Sequence, residues 1–149
     1  MLSRRIGDRE LLRLIQKWLK AGVLDTDRTV IHPTAGTPQG GIVSPILANV
    51  YLHYVLDLWF REVVKWHSKG EACLIRYADD FVCAFEYQDE AQHFDGALEH
   101  RLEKFGLQLA AAKSRVIPFS PNGEPGATRF DFLGFEFSWR TDRAGKPRT

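Results

Sequence analysis

Apolar residues at helical spacing open the chain. Leu11, Leu14, Ile15, Trp18 and Leu19 recur every three or four positions, with charged residues between them. Asp8 stands where a helix cap belongs and Gly22 where a left-handed stop belongs, so a helix is predicted over residues 8–21. Residues 23–33 read as short and irregular, and residues 34–41 as a glycine-rich loop. At Ser44-Pro45 a capping hydroxyl precedes a proline suited to the first helical position. The helix predicted there runs to about residue 67 and ends before Gly70. It turns Ile46, Leu47, Val50, Tyr51, Tyr54, Leu58 and Trp59 toward a core.

The period then changes. Residues 72–77 and 81–87 read as strands separated by Ala78, Asp79 and Asp80, a tight hairpin with two carboxylates at its tip. Asp89 is placed to cap a further helix that points Ala91, Phe94, Leu98, Leu102 and Phe105 inward and stops at Gly106. Residues 107–109 and 115–119 are short strand candidates. Residues 120–128 carry two prolines and two glycines and read as a surface loop. A hairpin bent at Gly134 follows over residues 130–139, and the last ten residues are polar and expected to fray. The fold class is α+β. Parts of the element order match β-α-β-β-α-β with the first strand absent.

A length of 149 residues suits one compact domain, here residues 1–139, with 140–149 as a basic tail. A hydrophobic share of 44% against 26% charged argues for a buried core and against wholesale disorder. The net charge of +1 does not announce a nucleic-acid binder, so distribution matters more. Arg4, Arg5, Arg9, Arg13, Lys17 and Lys20 crowd one end; Arg140, Arg143, Lys146 and Arg148 crowd the other. Two basic ends can follow phosphates, or they are ordinary solvated faces. Cys73 and Cys83 lie in apolar stretches and read as buried free thiols. His32, His53, His67, His93 and His100 lack metal-ligand spacing. The apolar stretch 42–60 is interrupted by Ser44, Pro45, Asn49, His53 and Asp57, so no membrane span is expected. With no signal peptide read at the charged start, a reducing, cytoplasmic setting is expected.

The chemistry concentrates at Asp79 and Asp80. Adjacent carboxylates repel, and a divalent cation with a taste for hard oxygen ligands, Mg²⁺, relieves the conflict. Such a metal can activate a sugar hydroxyl and stabilise a transferring phosphoryl group. Strand alternation puts Asp79 on the side of Tyr77, which makes Asp79 the expected main ligand and Asp80 the weaker one. A plain turn competes with this reading, because aspartate bonds its own backbone in turns.

The surrounding motifs decide between the two. Tyr77-Ala78-Asp79-Asp80 resembles the YxDD box of reverse transcriptases, with alanine in the second place as in the bacterial and group II intron branch. The loop Thr37-Pro38-Gln39-Gly40-Gly41, continued through residues 42–57, resembles the motif that precedes that box. Lys113 resembles the lysine that follows the palm helix, and Phe132-Leu133-Gly134-Phe135 resembles the primer-grip hairpin. All four occur in the family's order, across about residues 6–137. The resemblance is to a group II intron-type reverse transcriptase/maturase. It implies a polymerase palm lacking its first strand, with a primer-grip-like hairpin after it.

By that resemblance, Asp79, Asp80 and Lys113 are catalytic, with Mg²⁺ on Asp79 and Asp80. Pro38, Gln39, Gly40, Gly41, Tyr77, Leu133 and Gly134 contact substrate. The implied partners are an RNA template, a DNA primer and dNTP, with intron RNA as a further one. Lys113 would protonate or neutralise the leaving pyrophosphate, unless it is a solvated lysine. Arg76 is read either as a phosphate contact or as an exposed strand arginine. Phe130, Phe132, Phe135 and Phe137 are read as core.

The family's palm has a third carboxylate on its first strand, and residues 1–149 supply no match for it; Asp25 and Asp27 lack the flanking apolar run. Two carboxylates alone should hold Mg²⁺ loosely, so no primer extension by this chain alone is expected. The strands at 81–87 and 115–119 would flank the missing strand. Their open edges predict low stability, self-association or a complementing chain. The alternative is a non-catalytic RNA-binding palm remnant that uses its basic ends.

Overall fold

The computed structural model describes residues 1–20, 23–24, 30–31, 43–120, 129–141 and 147–148. The Gly22 stop, Asp25, Asp27, the glycine loop with Pro38, Gln39, Gly40 and Gly41, and most of the loop before the last hairpin lie outside them. The chain divides into two compact units, Met1–Tyr54 and Val55–Thr149.

In the first unit a single turn, Leu2–Arg4, precedes helix α1, Arg9–Lys20. Asp8 caps α1 as expected: its Oδ1 accepts from the Glu10 amide at 2.9 Å and the Leu11 amide at 3.1 Å. The apolar stripe is only partly covered. Ile15 is buried, whereas Leu11, Leu14, Trp18 and Leu19 stay exposed. Strands β1, Val23–Leu24, and β2, Val30–Ile31, pair antiparallel where the sequence read as irregular. Their valines and isoleucine suit extended backbone. Helix α2, Ser44–Leu52, begins one residue earlier than the sequence suggests. Val43 is its cap, Ser44 is already helical, and Pro45 falls in the first turn, which needs no amide from it.

Beyond α2 the helix widens. His53–Asp57 and Phe60–Val64 are π-type turns, and the ordinary helix α3, Lys65–His67, ends the run. Each wide turn adds a residue to the repeat and rotates the stripe that follows. The core at and beyond the wide turns differs from the expected one: Val55 and Leu56 are fully buried and Phe60 nearly so. Ile46, upstream of both wide turns, is 63% exposed rather than core.

In the second unit, strands β3, Ala72–Tyr77, and β4, Asp80–Phe85, form an antiparallel hairpin. Gly70 makes the entry possible: a Cβ there would stand 2.6 Å from the Glu86 carboxylate and the Tyr87 ring. Helix α4, Gln88–Glu103, packs behind the hairpin. Its cap is Tyr87 rather than Asp89, because the extended backbone ends at Tyr87. Asp89 sits inside the first turn, where a negative charge is still favourable, and lies 3.5 Å from Lys69.

Phe94, Leu98 and Leu102 bury the inner stripe of α4 as expected, each contributing roughly 1.5–3 kcal/mol of transfer free energy. Phe60, Phe85 and Phe94 meet with ring centroids 5.1–6.0 Å apart, and Trp59 stacks on Phe94 at 5.7 Å. Arg101 lies over Trp59 and Phe105 and donates from Nε to the Val55 carbonyl at 3.0 Å. The guanidinium thereby ties α4 to the wide turn. Gly106, at φ +68°, ends the helix. The Leu107 amide returns to the Leu102 carbonyl and the Gly106 amide to that of Glu103, both at 2.9 Å.

The strands expected at 107–109 and 115–119 are not formed. Residues 107–120 run without strand pairing and turn at Ala110, whose carbonyl accepts from the Lys113 and Ser114 amides. A strand persists only with a ladder partner, and these segments have none among the described residues. Strands β5, Arg129–Phe132, and β6, Phe135–Ser138, form the predicted last hairpin. Its register puts Phe130, Phe132, Phe135 and Phe137 on one face. Phe130 stacks on Phe137 at 5.1 Å beside Phe119 and Trp139, yet Phe135 at 70% and Phe137 at 38% are exposed rather than core. In the segment expected to fray, β7, Arg140–Thr141, pairs with β8, Pro147–Arg148. The described structure is thus a mixture of helices and two-stranded antiparallel sheets.

Candidate active site

Register decides the geometry of the acidic tip. Tyr77 pairs with Asp80, so only Ala78 and Asp79 form the turn. Opposed residues of an antiparallel pair share a face. Asp80, not Asp79, therefore stands on Tyr77's side, which corrects the expectation drawn from strand alternation. The chain reverses between Tyr77 and Asp80, and alternation along one strand does not carry across a reversal. Asp79 and Asp80 are both exposed, and Tyr77 beside them is 67% exposed. On the same face Ile75 is 59% exposed and Cys73 and Ala84 are open, so an uncovered apolar strip leads up to the carboxylates.

Ala78 occupies φ +53°, a left-handed conformation that glycine adopts freely and alanine does not. Arg76 reaches this turn. Its Nη1 donates to the Ala78 carbonyl at 2.6 Å, while Nε and Nη2 donate to the two carboxylate oxygens of Asp57, each at 2.7 Å. The arginine side chain is only 12% exposed and Asp57 28%. The Asp57 hydrogen bond, opposed in part by burial, raises the Arg76 pKa further above its ordinary value. Arg76 is thus neither a free phosphate contact nor an exposed strand arginine.

A cleft of about 1070 Å³ runs past Asp57 and Arg76 to Glu71 and Glu86; neither Asp79 nor Asp80 lines it. Among the described residues no three His, Cys, Asp or Glu side chains converge on a metal position. The two aspartates are nonetheless the donor type that Mg²⁺ takes, an ion that keeps several waters and needs few protein carboxylates.

The other expected site residues lie elsewhere. Lys113 is exposed in the turn that begins at Ala110. Leu133 and Gly134, at φ +54° and +81°, make the tip of the β5–β6 hairpin, and β5 approaches β4. Pro38, Gln39, Gly40 and Gly41 fall outside the described residues. Cys83 is partly covered, and burial, then the neighbouring Cys73, pushes its thiol up to about 12. Cys73 is exposed rather than buried, and both thiols are free. His67 and His100 each bond a carbonyl one helical turn back, Val63 and Gly96, which accounts for them structurally.

Comparison with known proteins settles the family. The family described as Reverse transcriptase (RNA-dependent DNA polymerase) matches residues 3–137. The chain belongs to the reverse transcriptase family. Its relatives include the group II intron-encoded protein LtrA of Lactococcus lactis, 50% identical over 63 residues, 39% of this chain and 10% of that protein. The putative COX1/OXI3 intron 1 protein of Saccharomyces cerevisiae is 37% identical over 70 residues, 47% of this chain and 8% of that one. Protein YkfC of Escherichia coli is 31% identical across 99% of this chain and 44% of its own length. The chain thus spans about a tenth or less of the first intron-encoded relatives it matches. The expected likeness to intron-type reverse transcriptases holds. Sequence reading passed over Asp57 of this reverse transcriptase chain as a mere interruption of an apolar stretch. A carboxylate on an apolar helix and an arginine just before the YxDD box were the available signals.

Proposed function

We propose that this chain is a palm-type element of an RNA-directed DNA polymerase, in which Asp79 and Asp80 hold Mg²⁺ beside a growing primer end. One observation carries the reading. A tight β-hairpin presents two adjacent, exposed carboxylates at its tip, Asp79 in the two-residue turn and Asp80 in the first paired position after it, in the sequence by which the family is recognised. When bound, the metal would polarise phosphoryl oxygens and activate the primer hydroxyl. The chain's own residues do the rest. The open strip at Ile75 and Tyr77 borders the place of the primer end. The Leu133–Gly134 tip brings backbone to the strand. Lys113 protonates or neutralises the departing pyrophosphate. Pro38, Gln39, Gly40 and Gly41 line the nucleotide and template pocket. RNA template, DNA primer and dNTP are the substrates, and intron RNA is a further ligand by analogy with the intron-encoded relatives. Two free thiols suit a reducing, cytoplasmic setting, and no helix among the described residues is long and apolar enough to cross a membrane.

Two measurements on the full chain test this. Titration with Mn²⁺ as a Mg²⁺ probe should show weak binding that Asp79→Asn and Asp80→Asn each reduce. Primer extension on an RNA template should be undetectable with this chain alone, since two carboxylates clamp the ions loosely. Binding that both substitutions leave intact would remove the tip from the site. Robust extension abolished by Asp79→Ala would show that the chain is self-sufficient.

A second reading has its own observation: Arg9, Arg13, Lys17 and Lys20 are all exposed on α1, though Arg13 pairs with Glu10 at 2.6 Å. Salt-sensitive RNA binding that survives Asp79→Ala would favour a non-catalytic binder.

A further inference from the structure

The Tyr77–Asp80 turn poses a conformational problem. A two-residue hairpin with a positive φ at its first central position ordinarily recruits glycine or asparagine there. Here the position is Ala78, at φ +53°. A lone alanine in this region is strained and persists only where its surroundings hold it. The holding group is visible: the Ala78 carbonyl accepts from Arg76 Nη1 at 2.6 Å.

The donor is itself immobilised. Two parallel 2.7 Å bonds to Asp57 fix the guanidinium plane, a geometry available to arginine and not to lysine. Asp57 ends the wide turn that also contains Val55 and Leu56, both at 0% exposure. A side chain rooted beside fully buried neighbours moves little. The widened repeat shifts the helix face at Asp57, and such single wide turns gather at functional positions. A continuous path of contacts therefore runs from the best-packed point of the second unit to the backbone between Tyr77 and Asp79.

We propose that Arg76, clamped by Asp57, is a positioning residue: it sets the backbone of the Ala78–Asp79 turn and so the directions of the Asp79 and Asp80 carboxylates. The proposal rests on the reading of those carboxylates as the metal-holding pair, but its geometric half stands apart from it. A purely structural ion pair would tie helix to strand and need no third bond to the turn. Arg76→Lys separates the alternatives, because an ammonium can reach Asp57 but cannot also span to the Ala78 carbonyl in a fixed plane.

The test uses the full chain in three forms: wild type, Arg76→Lys and Asp57→Asn. Amide hydrogen exchange is read at residues 78–80 and within β3 and β4, and Mn²⁺ binding is titrated alongside. The expected result is exchange at 78–80 at least about tenfold faster in both variants, with the strand interiors unchanged, since local opening is read independently of global unfolding. Mn²⁺ affinity should fall about tenfold, the usual scale for groups that orient ligands without touching the ion. Unchanged exchange at the tip in both variants overturns the proposal. So does uniform acceleration across both strands, which marks a merely structural pair. Should Arg76→Lys fail to fold, Asp57→Asn, which keeps the side-chain shape but breaks the two-bond clamp that holds the Arg76 plane against the turn, decides alone by the same readings. The control is Asp79→Asn. If it leaves Mn²⁺ binding intact while the tip responds to Arg76→Lys, the metal reading fails and the positioning role stands. If it abolishes binding while the tip ignores both variants, the positioning role fails by itself.

Discussion

The two hairpins of the second unit solve one problem in opposite ways. Both close with two residues, and both place a non-glycine residue in the left-handed region, Ala78 at φ +53° and Leu133 at φ +54°. At the second tip the next residue is Gly134 at φ +81°, which accepts its conformation at no steric cost, and the Phe130–Phe137 stack steadies the strands below. That turn is prescribed by its own residues. At the first tip no glycine follows, and Asp79 comes next. The brace comes from Arg76 and, through it, from Asp57, nineteen residues away. Local chemistry serves where the tip carries only backbone and apolar groups. Where the turn carries one carboxylate and the next strand position another, a distant residue holds it.

This contrast can be broken most severely at Arg76. Arg76→Ala removes the two Arg76 bonds from the partly buried Asp57 carboxylate and frees the Ala78 turn. A loss of about 2–3 kcal/mol is expected, less than for a fully buried pair because Asp57 retains 28% exposure. Urea unfolding measures it, and a loss below about 1 kcal/mol would mean that solvent already supports the carboxylate. A smaller effect sharpens the comparison. Gly134→Ala should cost about 1 kcal/mol through its positive φ alone, since a Cβ there meets nothing within 4 Å. Ala78→Gly should do the reverse, raising stability by up to about 1 kcal/mol as strain is relieved. If Ala78→Gly destabilises instead, the brace imposes no strain on that turn.

The smallest effect concerns the two faces of the first hairpin and leaves the fold intact. At pH 8, iodoacetamide should modify the exposed Cys73 and spare Cys83, followed by peptide mass mapping. Cys83 reactivity should climb only toward about pH 12, because the thiolate is the nucleophile. The sign for stability follows. A thiol whose folded pKa is raised stabilises the fold fully below its ordinary value of 9.0. It loses that contribution as pH climbs from there through about 12. Equal alkylation of both thiols at pH 8 would show that the inner face of the hairpin is open.

The amino-acid sequence by itself determined the local elements whose signals are short-range. Asp8 capping α1, Gly106 stopping α4, the strand at Ala72–Tyr77 and the bend at Leu133–Gly134 all depend on residues within a few positions of one another. The YxDD box, its companion motifs and the family are legible for the same reason: they are contiguous runs of residue types. Tertiary structure alone decided the rest. Residues 115–119 have strand composition and no strand, because a ladder needs a partner that composition cannot supply. The buried stripe passed to Val55, Leu56 and Phe60 because wide turns changed the repeat, which periodicity assumes constant. Asp80 joined Tyr77's face because pairing register, not alternation along the chain, governs a reversal. Asp57 met Arg76 only when folding brought the two within 2.7 Å. A bond across nineteen residues leaves no periodic trace, because its geometry exists only in the packed chain.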